Sequence, residues 1–167
     1  GNNSYNLEIE MNGSTPHLIS GTGSFRMIGS GNGTSSFKIN SGADVTLDAT
    51  FRTNDDNGIP GNVIIDGTLR FSDESDVFNG LGNLILNGYT ELKASAFNDH
   101  YELIGTKDIN TSTSTIEFTN SISSISISNI PSVVIGSLVN NVSSSGALNI
   151  LDNIVVSETL TMQTGNI

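Results

Sequence analysis

The stretch "GNVIIDG" occupies residues 61–67, and "GNLILNG" occupies residues 82–88. The second follows the first at an offset of 21 residues. Aligned, Val63 pairs with Leu84, Ile64 with Ile85, Ile65 with Leu86, and the corner Asp66-Gly67 with Asn87-Gly88. A further copy, "IVVSETLTM" at 154–162, matches "VIIDGTLRF" at 63–71, and a looser one, "SSFKINSGADVTL", fills 35–47. The common pattern is three apolar residues, a two-residue corner, then Thr-Leu-x-apolar.

A period of about 20 residues built only of short strands and corners is the signature of a solenoid. One copy cannot bury its own apolar side chains, whereas copies stacked about 4.8 Å apart line them into ladders. At about 21 residues per coil the chain supplies roughly eight coils, a rod on the order of 40 Å long.

The rest of the chain has the same texture. Apolar residues alternate with polar ones in short units, as in Phe25 and Met27, Phe37 and Ile39, Val45 and Leu47, Leu69 and Phe71, or Ile116 and Phe118. That is the period of a half-buried strand. Gly, Asn, Asp and Ser separate the units, and no apolar stripe at helical spacing lasts three turns, so the class is all-β. Asp-Gly and Asn-Gly are also favoured hairpin turns, which leaves a β-sandwich as the alternative. Two features favour stacking into a parallel β-helix. The flanking units are too short for self-sufficient hairpins, and the copies keep one internal phase.

Composition narrows the partners. The 167 residues include 17 acidic and 6 basic ones, for a net charge of −11. That argues against nucleic acid and against an anionic membrane surface. There is no cysteine, so neither a disulfide nor a thiolate metal site exists. No run of apolar residues is long enough to span a bilayer.

Within residues 61–167, with its upstream strands at 61–71 and 80–88, the run from Ser114 to Ile167 carries a resemblance. It shows a "T-φ-x-F" strand at Thr115, Ile116 and Phe118. A longer motif follows through Leu148, Ile150, Ile154, Val156, Thr159, Leu160, Thr161, Met162 and Gly165. This resembles the repeat units of large secreted surface proteins of Bacteroidota. Asn120 departs from that pattern, in which Gly is common after "F-x". The resemblance implies a right-handed parallel β-helix in an adhesin-like protein of the cell surface, of the kind exported by type IX secretion and in some cases serving gliding motility. Residues 1–167 then form a single solenoid segment, expected to be a fragment of a longer repetitive protein.

Candidate chemistry is sparse. "NDDNG" at 54–58 offers Asp55 and Asp56 as calcium ligands, although it lacks the alternating spacing and terminal Glu of an EF-hand loop. "SDESD" at 72–76 reads as a second solvated acidic loop. No other cofactor is expected. His17 and His100 are the only histidines, and without metal-ligand spacing both read as surface loop residues. Acidic residues at matched repeat phase are few, and Asp66 has Asn87 and Ser157 as counterparts. Asp66 is therefore a corner residue, and no catalytic residue is assigned.

The middle residues of the triplets, Ile64, Ile85 and Val155, should point outward and could form an exposed apolar stripe. The expected function is that of a non-enzymatic structural and adhesive rod segment of a secreted bacterial surface protein. Its partners would be flanking repeats, surface glycans or secretion proteins, with loops 54–61 and 98–108 as contact points. The alternatives are a polysaccharide-binding or polysaccharide-degrading β-helix and, less favoured, an ice-binding face built from Thr and Ser.

Overall fold

The structure is a computed structural model. It describes residues 7–27, 35–53, 61–119, 124–127, 134–141, 147–150 and 153–163, the side chains of 124–127 and 147–150 excepted. The chain winds into a parallel β-solenoid whose second ladder, among the described residues, counts seven rungs. The first turn holds β1 (Leu7–Met11) and β2 (His17–Arg26), and the second β3 (Ser35–Ile39) and β4 (Asp44–Arg52). The third holds β5 (Asn62–Ile65), β6 (Thr68–Phe71) and β7 (Val77–Gly80). Next come β8 (Asn83–Leu86), β9 (Tyr89–Leu92), the short helix α1 (Phe97–His100) and β10 (Tyr101–Leu103). β11 (Lys107–Ile109), β12 (Thr115–Phe118) and β13 (Ser124–Ile127) follow. The remaining rungs are β14 (Val134–Ile135), β15 (Ser137–Asn140), β16 (Ala147–Ile150), β17 (Val155–Val156) and β18 (Leu160–Met162).

Every strand pairing among the described residues is parallel. One ladder runs β1-β3-β5-β8-β11. A second starts from β2 and β4 and runs through β6, β9, β12, β15 and β18. The far half of β4 carries a third, in which Phe51 pairs with Phe78 and Phe78 with Tyr101. Two-stranded pairs β13-β16 and β14-β17 complete the set.

The decisive register is Val63 opposite Leu84, with Ile64 opposite Ile85 and Ile65 opposite Leu86. A hairpin across Asp66-Gly67 would have made β5 and β6 antiparallel neighbours. They instead lie in different ladders, which rules out the sandwich alternative.

The same register explains why the heptad is written twice. Val63, Ile65, Leu84 and Leu86 all point inward and are fully buried. Each such side chain contributes about 1.5–3 kcal/mol through burial. The glycines answer to close approach of successive turns. At Gly82 an added Cβ would sit 2.8 Å from the carbonyl oxygen of Gly61 and 2.9 Å from Cβ of Thr53. At Gly88 it would collide with the carbonyl oxygen of Gly67. Between these corners, Asn87 Nδ2 donates to Asp66 Oδ1 at 2.7 Å, and the Asn87 and Gly88 N–H groups both donate to the Ile65 carbonyl.

Inside the third ladder stands a column of rings: Phe25, Phe51, Phe78 and Tyr101 occupy successive rungs. Phe51 and Phe78 lie 5.3 Å apart, and Phe78 and Tyr101 stack at 6.2 Å. Phe37 and Phe71 flank the column from other ladders.

One corner lengthens from the second turn to the fourth. In the second turn β4 runs straight through it with only Asp48 and Ala49 between the two ladders. In the third the chain detours through residues 72–76, and in the fourth through residues 93–100 with α1. In the first turn β2 bulges out over Ala49, where its register shifts between Ser20 and Ser24.

Candidate functional site

The outward face of the second ladder carries the richest set of charged groups. Arg70, Glu91 and Glu117 follow one another at one register position. Arg70 donates to Glu91 Oε2 at 2.7 Å and to Asp44 Oδ1 at 3.2 Å, and its guanidinium lies 5.3 Å from the centroid of Tyr89. Lys93 and Thr119 donate to Glu91 Oε1 at 2.6 and 2.9 Å. Tyr89 donates its hydroxyl to Glu117 Oε2, and Asn141 donates to Glu117 Oε1.

Burial alone would raise the Glu91 carboxyl, but the hydrogen bonds from Lys93, Arg70 and Thr119 outweigh it and hold it below its ordinary value. Two stacked carboxylates invite a comparison with glycoside-cleaving sites. Here both oxygens of each are already engaged by side chains of the same face. The network clamps adjacent rungs and offers no free general acid.

A groove of about 260 Å³ opens at the lengthening corner, between the bulge of Gly21, Thr22 and Gly23 and the carboxylates of Asp48, Asp73 and Asp76. One oxygen from each carboxylate lies within 4.8 Å of the others. The turn itself uses these groups. Asp73 Oδ1 accepts from Ser75 N–H at 2.7 Å and from its hydroxyl at 2.6 Å, and Asp76 Oδ2 accepts from Asp73 N–H at 2.7 Å. The Ser75 bonds hold Asp73 below the usual carboxylate range, and burial pushes Asp76 above it. Asp73 and Asp76 thus hold the tight turn, and Asp48 lies beside them on β4. The solvated reading of 72–76 fails at Asp76, which is only 4% exposed.

Below this turn lies His100, which is fully buried. The surface-loop expectation is wrong for it, because the 93–100 detour folds back over the core. Its ring stacks face to face on Phe71, with centroids 4.0 Å apart and planes 9° from parallel. The Lys93 and Ala94 N–H groups donate to Nε2 at 2.9 and 2.8 Å, and Nδ1 lies 2.6 Å from the Asp76 carbonyl oxygen. A carbonyl only accepts, so Nδ1 carries the proton, and Nε2 receives two donors through its lone pair. The geometry fixes one neutral tautomer. Burial pushes the imidazole pKa down, against the opposing pull of the Asp76 carbonyl and of Asp99 and Asp73. His17, by contrast, is a half-buried residue of β2 whose Nε2 lies 2.9 Å from the Asn12 carbonyl.

The other sequence candidates are dispersed. Asp55 and Asp56 lie outside the described residues, as does Asn120. Ile64 and Ile85 stack outward and half-buried, between Lys38 on one side and Asp108 on the other. Val155 is more than half exposed and sits opposite Val134 in a separate two-stranded sheet. Most of 98–108 belongs to α1, β10 and β11, with Tyr101 and Leu103 in the core. Thr115, Ile116 and Phe118 lie on β12, and Leu160 to Met162 on β18, with β15 between them. Among the described residues no helix is long and apolar enough to cross a membrane. Compared with family models, curated proteins and solved structures, the chain gives no match.

Proposed function

We propose that this solenoid is a non-enzymatic structural and adhesive segment of a secreted bacterial cell-surface protein, a stiff spacer that holds binding regions away from the cell. The observation that carries the reading is the parallel second ladder, which passes from β2 to β18 with matched inward side chains. A chain hydrogen-bonded to itself along one axis resists extension and bending, and each turn contacts only its neighbours. The charged outward face supports the reading as well, because its carboxylates are engaged in rung-to-rung contacts. The sequence resemblance of 61–167 to Bacteroidota surface repeats supports the cell-surface setting.

The test uses the full-length protein on cells. Attachment is measured with the segment present, deleted, or replaced by an unrelated rigid spacer of equal length. A spacer restores attachment on replacement and loses it on deletion. Cleavage of neutral or acidic polysaccharide by the purified segment would overturn the reading in favour of a processing β-helix. Tight glycan binding without cleavage would move the adhesive contact onto the segment itself.

A further inference from the structure

We propose that His100 is an acid-operated latch that fastens the 93–100 detour to the 72–76 turn. In the neutral form one ring bridges two otherwise separate pieces of chain. Nε2 takes the N–H groups of Lys93 and Ala94, and Nδ1–H reaches the carbonyl of Asp76. No rotation of the ring allows a second proton to be added in place. A proton on Nε2 would face two N–H donors at 2.8–2.9 Å with no acceptor available, and the cation would lie fully buried against Phe71. Burying an unpaired charge or an unmatched donor is expensive. Protonation therefore requires the detour to lift from the turn.

The charged groups around the ring favour the lifted state. Asp73 and Asp76 face it from the turn, Asp99 from its own helix, and Lys93 from the strand exit, with Asp48 of β4 adjacent to Asp76. The Asp99 and Asp73 carboxylates favour a charged imidazole, and Lys93 opposes them by less. Release would uncover Phe97, which packs on Tyr101 with centroids 4.7 Å apart. The rungs of β12, β15 and β18 lie outside the latch and would stay paired.

The experiment is amide hydrogen exchange on the whole chain from about pH 7.5 to about pH 4.5, corrected for the intrinsic pH dependence of exchange. NMR titration of the imidazole accompanies it. The expected result is a tenfold or greater loss of protection at Lys93, Ala94 and 97–101 as pH falls below 6.5, the ordinary histidine value. Protection in β15 should hold, and the loss should track the His100 titration. His100→Gln offers a side-chain oxygen to the same two N–H groups but does not titrate, so its protection should no longer fall with the wild-type midpoint. Unchanged protection at low pH would overturn the latch. So would equal loss in β15, titration of His100 without loss of protection, or an identical midpoint in His100→Gln that assigns the effect to Asp76. Should His100→Gln fail to fold, the match between imidazole titration and local protection decides alone.

Discussion

A single methyl group at Gly82 has nowhere to go, since backbone of the turn below and the Thr53 side chain occupy its space. Gly82→Ala is expected to cost about 1–3 kcal/mol in a urea titration. Gly23→Ala, with nothing within 4 Å of the new Cβ, should change stability by less than about 0.5 kcal/mol. Equal effects would mean that the turns do not approach as closely as described. Such glycines are legible in a sequence because close backbone contact repeats with the coil. His100 was not legible. A lone histidine between Asp99 and Tyr101 looks solvated, and its burial depends on a detour longer than its counterparts at 48–49 and 72–76. The available signal was the apolar alternation of Phe97, Tyr101 and Leu103 around it.

Between strands, inward and outward positions should differ sharply. Leu84→Ala removes a fully buried side chain and is expected to cost about 2–5 kcal/mol. Ile85→Ala, on the outward side of the same strand, should cost about 1 kcal/mol or less. Matching losses in chemical denaturation would contradict the assigned phase. On the second ladder a double-mutant cycle between Arg70 and Glu91 should give a coupling of about 0.2–1 kcal/mol that shrinks in roughly 1 M salt. A salt-independent coupling would point to packing in place of charge. The alternation that defines these strands could be read from residue order, and so could the pairing of 63–65 with 84–86. The ring column of Phe25, Phe51, Phe78 and Tyr101 was missed, because the spacing between its members changes from turn to turn. The shared Phe-Arg pairs at 25–26 and 51–52 were the clue.

For the molecule as a whole, register is the property on which everything else depends. Deleting residues 64–84 removes 21 positions and joins Val63 to Ile85 with inward and outward phase intact. The shortened chain is expected to keep its β circular dichroism and a cooperative melt at reduced stability. Deleting 64–83 leaves Leu84 facing out and Ile85 facing in, and this chain should lose cooperative folding. Equivalent behaviour of the two would show that the stack tolerates slippage. At this scale the sequence announced the solenoid but not the corner that lengthens from Asp48-Ala49 to 72–76 and then 93–100, because a detour contributes no repeat to align. That corner has an evolutionary consequence. Extra residues there change neither the pitch nor the pairing of any rung, so new surface can be acquired along one edge while the scaffold stays constant. Lineages that vary this chain should show length differences along that seam.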